Sequence, residues 1–218
     1  MKNVFTIGHS NHTIDSFITL LKKHEITALA DVRSHPYSRY LPHFNQRELK
    51  ASLKLSGIDY VFLGKELGAR PDNLSCYVGG KAVYEKIAAT EAFKAGIQRI
   101  FKGAKNYKIA LMCAEQDPLT CHRSILVCQH LRHFDLNIHH ILKNGELESH
   151  QHLEERLLAK TGLTDVSDSQ NLQQLSLFSV PETTPRRSRE ESLTQAYQIQ
   201  GDKIAYVEKE SRDRESAD

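Results

Sequence analysis

The chain has 218 residues, 39% hydrophobic and 26% charged, enough for one core-burying domain plus a tail. No apolar stretch approaches the roughly 20 residues of a membrane span, and residues 1–7 read as a strand start without the basic-then-apolar pattern of a signal peptide. The net charge of +2 excludes a strongly acidic or strongly basic protein, and the expected location is the cytoplasm.

In chain order, 3–8 is a short β-rich run. Thr13 or Asp15 caps a helix to about residue 23, with Ile14, Phe17, Ile18 and Leu21 on one face. A buried strand follows at 28–32, then a helix at 46–55 stopped by Ser56-Gly57, and a third strand at 58–63. A loop rich in Gly, Pro and Asn spans 64–80. A long helical pattern covers 81–101. Strand 107–112, helix 122–134, strand 137–142, a Lys-Asn-Gly-Glu turn and a helix near 149–160 complete the body. Alternating strands and helices predict an α/β fold: a mostly parallel sheet of about five strands with helices on both faces.

Past Gly162 the composition shifts to Ser, Gln, Thr, Glu and Pro. The domain is therefore set at 1–162, and 163–218 is read as a polar, largely disordered tail. Two β-prone runs flank Gly201-Asp202 and suggest a short hairpin, while helical propensity over 193–199 competes with it. Charge divides in the same way. Residues 1–163 hold 22 basic and 16 acidic side chains, and 164–218 hold 7 and 11. A mildly basic body fits a phosphate-bearing ligand, but it also fits many solvated surfaces.

Open parallel sheets bind ligands at the carboxyl ends of their strands, and here those ends carry polar loops. The first ends in Gly8-His9-Ser10-Asn11, and the second in Asp31-Val32-Arg33-Ser34, with Arg39 further on. The third leads to Glu66, and the fourth to Cys113-Ala-Glu115-x5-Cys121-His122-Arg123. His9, Asp31, Glu66, Cys113, Glu115, Cys121 and His122 are the candidate catalytic groups. Ser10, Arg33, Ser34, Arg39 and Arg123 are the candidate phosphate ligands. Each also has a plainer use: Asp31 and Arg33 as a structural ion pair, Cys113 as a small core residue, Cys128 as core on an apolar helix face.

Nine residues separate Cys113 from Arg123, where a cysteine phosphatase loop has five. Sulfur transfer from a persulfide would need a similar cradle. Zinc on Cys113, Cys121, His122 and His9 matches no common C-x2–4-C pattern, so no metal ligand is assigned and the cofactor is unknown. A hard metal on Asp31, Glu66 and Glu115 is permitted and not required. Neither common nucleotide-binding Gly-rich loop occurs. The four cysteines, 76, 113, 121 and 128, are read as free thiols.

Thr6-Ile7-Gly8-His9-Ser10, Asp31-Val32-Arg33-Ser34-x-Pro36-x-Ser38-Arg39, Leu63-Gly-Lys-Glu66-Leu67-Gly68 and Cys113-Ala-Glu115-x5-Cys121-His122-Arg123 occur in that order. Together they resemble the domain-of-unknown-function 488 family over about residues 3–142. The resemblance implies an α/β domain with those motifs at strand ends and no settled activity. Members are often labelled as DNA-repair proteins. One departure is Ala69, where the family pattern tends to carry a second Gly, and it argues against a positive φ there.

In the tail, Gln174-Leu175-Ser176-Leu177-Phe178 looks like the pentapeptide by which bacterial polymerases and repair proteins dock on the sliding clamp. A short flexible segment offers Leu and Phe to an apolar pocket while Gln174 fixes orientation. Leu175, Leu177 and Phe178 folding back on the body is the plainer use. Three functions follow. The first is a nucleic-acid- or nucleotide-associated protein, in DNA repair, tethered to the clamp. The second is a thiol- or metal-dependent enzyme acting on a small anionic substrate. The third is a non-catalytic clamp adaptor. Oligomeric state is not legible, and neither is the substrate.

Overall fold

Strand β6 (Ile109–Cys113) is buried at all five positions, as a central strand covered on both faces should be. Its alternation sorts the core into two layers. Ile109, Leu111 and Cys113 face one side, together with Val4, Ala28 and Ala30 of the neighbouring strands. Ala110 and Met112 face the other, with Phe5, Ile7 and Leu29. The computed structural model that shows this describes residues 2–164 and 187–208.

Six strands form the main sheet in the order β3-β2-β6-β1-β7-β8. These are β1 (Lys2–Gly8), β2 (Ala28–Asp31), β3 (Asp59–Phe62), β6, β7 (Leu136–Ile141) and β8 (Leu147–Ser149). The first five are parallel, and β8 pairs antiparallel with β7. Helices α1 (Ile14–Lys23) and α2 (Gln46–Leu55) cover one face through Phe17, Leu21, Leu49 and Leu53. On the other face lie α4 (Tyr84–Ala89), α5 (Glu91–Gly103) and a π-helical turn, Arg123–Cys128, that runs into α6 (Gln129–Leu131). Helix α7 (His150–Thr161) joins them there.

Connections decide where the site falls. The chain leaves β1 across one face through α1 and leaves β6 across the opposite face through the π-helical turn. Strands β1 and β6 are neighbours, registered from Val4 against Ile109 to Gly8 against Cys113. Adjacent strands whose connections part to opposite faces open a crevice at their carboxyl ends.

The mostly parallel sheet of about five strands is present, with an antiparallel sixth added where Gly145 (φ 78°) turns the chain back into β8. Three sequence expectations change. The helical pattern at 81–101 is two helices. Thr90 accepts the N–H of Phe93 and caps α5, ending α4 one residue earlier. Residues 81–82 belong instead to a small ribbon of β4 (Tyr77–Val78) and β5 (Lys81–Ala82).

The hairpin expected around Gly201 is part of a helix, α8 (Arg189–Ile204), started by a capping box of Ser188 and Glu191. Leu193, Ala196, Tyr197, Gln200 and Gly201 are buried at helical spacing, and that face outweighs local β propensity. Gly201 is a packing residue rather than a turn residue, since a Cβ there would lie 3.1 Å from the Tyr84 ring. The expected disordered tail is thus interrupted by a docked helix. The pentapeptide residues Gln174, Leu175, Leu177 and Phe178 lie outside the described residues.

Candidate active site

His9 continues β1, and its N–H bonds the carbonyl of Cys113 at 2.9 Å. Ser10 (φ 43°) repeats the bond with Ala114. The two loops touch because residue 8 is glycine: a Cβ there would lie 1.9 Å from the Glu115 carbonyl oxygen. His9 is 5% exposed and stacks on Phe44 with ring centroids 4.4 Å apart. Its Nδ1 faces Ser10 O at 3.0 Å, so the ring proton sits there, and Nε2 faces Arg33 Nη1 at 3.3 Å. Burial, then the Arg33 charge, lowers its pKa to about 4, and the ring is neutral at pH 7.

Asp31 is fully buried. It accepts Arg33 Nε (2.9 Å), Arg33 Nη2 (2.7 Å), the Arg33 backbone N–H (3.1 Å) and Tyr60 OH (2.9 Å). Arg33 also bonds Phe44 O at 2.8 Å. The pair matches the structural ion-pair reading. Asp31 is saturated and has no free lone pair for acid–base work, whereas Arg33 still presents Nη1 beside His9.

Arg123, expected to hold phosphate, is fully buried. It donates to Glu115 O (2.7 Å), Gln116 O (3.2 Å) and Thr6 Oγ1 (3.4 Å). Its guanidinium shapes the loop after β6 instead of meeting a ligand. Glu66 pairs with Arg99 of α5 and Arg39 is exposed; neither lines the cavity described below. The Ser10 hydroxyl makes only 3.4 Å contacts with Asn11 and Gln116, and Ser34 Oγ accepts the backbone N–H of Arg70 at 2.9 Å.

The loop that Arg123 holds brings Cys113, Glu115, Cys121 and His122 into one cluster. Each sulfur lies 3.0 Å from Glu115 Oε2, and Cys113 Sγ lies 3.5 Å from His122 Nδ1. One atom from each of the four residues falls within 4.8 Å of the other three. His122 Nε2 donates to Val32 O at 2.9 Å. Burial raises the pKa of both thiols. For Cys113 the neighbouring Cys121 adds to that rise; for Cys121 it is outweighed by the Cys113 hydrogen bond, Arg123 and His122, which leave it well below the usual thiol range. Burial opposes protonation of His122, but the hydrogen bond and charge of Cys121 raise its pKa.

Cys113, Glu115 and His122 of this cluster form one wall of a cavity of about 350 Å³, and Cys121 is buried outside its lining. His9, Arg33 and Ser34 form a second wall, from the ends of β1 and β2. Sequence reasoning did not select the third wall, Arg70, Tyr84 and Tyr206. Arg70 stacks over the Tyr206 ring at 4.3 Å, and Ala82 N–H bonds Tyr206 O at 2.8 Å. Arg70 lies two residues past the Leu63–Gly68 motif as a visible cation, but nothing in the sequence links it to a residue 136 positions away. All four cysteines are free, and Cys76 and Cys128 pack in the apolar core.

Fold and site define an α/β protein with a polar, thiol-bearing cavity at the carboxyl ends of parallel strands. The chain belongs to the family described as "Domain of unknown function DUF488", whose profile matches residues 13–129. That span begins after Gly8-His9-Ser10, so β1 and its loop lie outside the matched region. A search of curated proteins found no match, and neither did a search of solved structures.

Proposed function

We propose that the protein is an enzyme acting on a small anionic molecule in the strand-end cavity, with Cys113, Glu115, Cys121 and His122 carrying the chemistry. The observation that carries the reading is the convergence of those four groups within 4.8 Å of one another, with Cys113, Glu115 and His122 on the cavity wall. Size argues against a polymer: about 350 Å³ is at the small end of ligand pockets and holds a nucleotide or less. Arg33 and Arg70 against Glu115 leave the lining slightly positive. Of the cations on which a phosphate-backbone surface would have rested, Arg123 is buried in the loop after β6 and Arg39 lies outside the cavity lining.

The test is a binding screen of the full chain against nucleoside monophosphates, sugar phosphates, dicarboxylates and oligonucleotides. A small anion should bind wild type and Arg39→Ala alike and bind Arg70→Ala about 10-fold more weakly, the loss of one charge-assisted bond. Oligonucleotide binding weakened by Arg39→Ala and untouched by Arg70→Ala would replace the enzyme with a nucleic-acid protein.

A second reading, tethering to a sliding clamp, is favoured by the complete Gln174–Phe178 pentapeptide and is independent of the cavity. A fluorescent peptide of residues 170–182 should bind purified bacterial clamp saturably, and Gln174→Ala/Phe178→Ala should abolish this. No binding at high concentration removes the tether.

A further inference from the structure

We propose that Cys113, Glu115, Cys121 and His122 bind one thiophilic divalent metal ion, zinc by preference; the proposal rests on reading this wall as the reaction centre, but its test needs no turnover. Tetrahedral bonds of about 2.3 Å to sulfur and about 2.0–2.1 Å to nitrogen or oxygen set ligand atoms about 3.3–3.8 Å apart. The 3.5 Å sulfur–imidazole separation lies within that range, and the two 3.0 Å sulfur–carboxylate separations fall short of it. An ion enters if the Glu115 carboxylate backs away by about half an ångström.

His122 is already set as a ligand. Its Nε2–H is committed to Val32 O, which in the neutral ring leaves the Nδ1 lone pair facing the sulfurs. A backbone carbonyl behind a ligating imidazole is the usual outer partner. Charge also balances. Two thiolates, a carboxylate and a divalent ion sum to −1, and the buried Arg123, bonded to the Glu115 backbone, offsets it. Both sulfurs already lie against the same carboxylate oxygen.

Two sulfurs, an imidazole and a carboxylate within 4.8 Å of one another select zinc over magnesium or calcium, which prefer all-oxygen shells. Cys113, Glu115 and His122 line the cavity, and Glu115 is exposed at its mouth. The Glu115 corner is therefore the one at which a ligand from the cavity exchanges.

The experiment uses the untagged full chain, reduced and stripped by chelator. Zn2+ is titrated against a chromophoric chelator, and Co2+ is followed by visible absorption. One equivalent of Zn2+ should bind, and Co2+ should give the intense visible bands of a tetrahedral site with sulfur-to-metal charge transfer. Cys121→Ser should weaken Zn2+ by more than the 10–100-fold typical of losing an outer partner. Glu115→Gln, at an exposed position that folding tolerates, should weaken it at least about 10-fold. Glu66→Gln, paired with Arg99 away from the cavity, should leave it unchanged.

Absence of uptake overturns the site, as does uptake indifferent to Cys121→Ser and Glu115→Gln. A Cys113–Cys121 disulfide forming under air, with no metal taken up after reduction, also overturns it and assigns the pair to redox chemistry. Metal uptake with no small anion bound overturns only the enzyme reading. Anion binding without metal uptake overturns only the metal site.

Discussion

Arg123 carries a full charge into the core and spends its donors on two loop carbonyls and one hydroxyl. Removing it strands those carbonyls and unseats the backbone of Glu115. Arg123→Met should cost about 1–3 kcal/mol for each buried carbonyl left without a donor, and urea unfolding measures it. Unchanged stability would show that the loop is held by something else. Gly8 tests the same contact from the other strand. The 1.9 Å approach of a Cβ to the Glu115 carbonyl has no flexible side chain to yield. Gly8→Ala should destabilise by about 2 kcal/mol or more and weaken metal uptake with it; a variant that melts like wild type would contradict the close approach.

At the scale of elements, α8 is keyed to the site by a buried chain of hydrogen bonds. Tyr197 OH donates to Glu154 (3.1 Å), so His150 Nε2 must donate to Tyr197 (3.0 Å) and accept at Nδ1 from His140 Nε2 (3.0 Å). His140 Nδ1 then accepts from Thr6 Oγ1 (2.8 Å), the hydroxyl that Arg123 also contacts. One proton arrangement satisfies every link. Tyr197→Phe strands a buried imidazole N–H and should cost about 1–3 kcal/mol. Amide exchange in α8 should speed up with it; unaltered exchange would mean that apolar packing alone holds the helix.

The same chain sets a pH dependence. Burial, then Arg132, lowers the His150 pKa to about 3, and burial with Arg33 lowers that of His9 to about 4. Unfolded imidazoles titrate near 6.5. Below that value the unfolded chain takes up protons that the folded chain refuses. The stability these groups contribute is therefore complete above about pH 6.5 and lost as pH falls toward 4. The limiting slope is about 1.4 kcal/mol per pH unit per group. Urea midpoints should fall from pH 7 to pH 5; a flat profile would mean that the folded rings take up protons as readily as the unfolded ones.

On the scale of the whole molecule, the sheet, its parallel sense and the crossing of polar loops at the strand ends were legible. Buried apolar runs alternating with amphipathic helices admit few other folds. The ends of β1, β2 and β6 do meet, which brings His9, Arg33 and Cys113 together. What local pattern could not reveal was the direction of long charged side chains. Arg123 reads as a ligand contact at a helix start, yet it turns inward because the loop before it needs donors. Glu66 finds Arg99 across a helix pair that the sequence does not juxtapose. The Cys113-x-Glu115-x5-Cys121-His122 set has no familiar ligand spacing, because the turn of residues 118–120 folds the seven positions between the two cysteines back on themselves. The wall formed by Tyr206 depends on α8 docking, a helix hidden in a segment of tail-like composition.

X-ray absorption at the zinc edge of the reconstituted protein tests the central claim most directly. The expected shell holds four atoms, two sulfurs at about 2.3 Å and two lighter atoms at about 2.0–2.2 Å, with one sulfur lost in Cys121→Ser. A shell of oxygen and nitrogen alone, or one unchanged by Cys121→Ser, would contradict it and place the metal elsewhere.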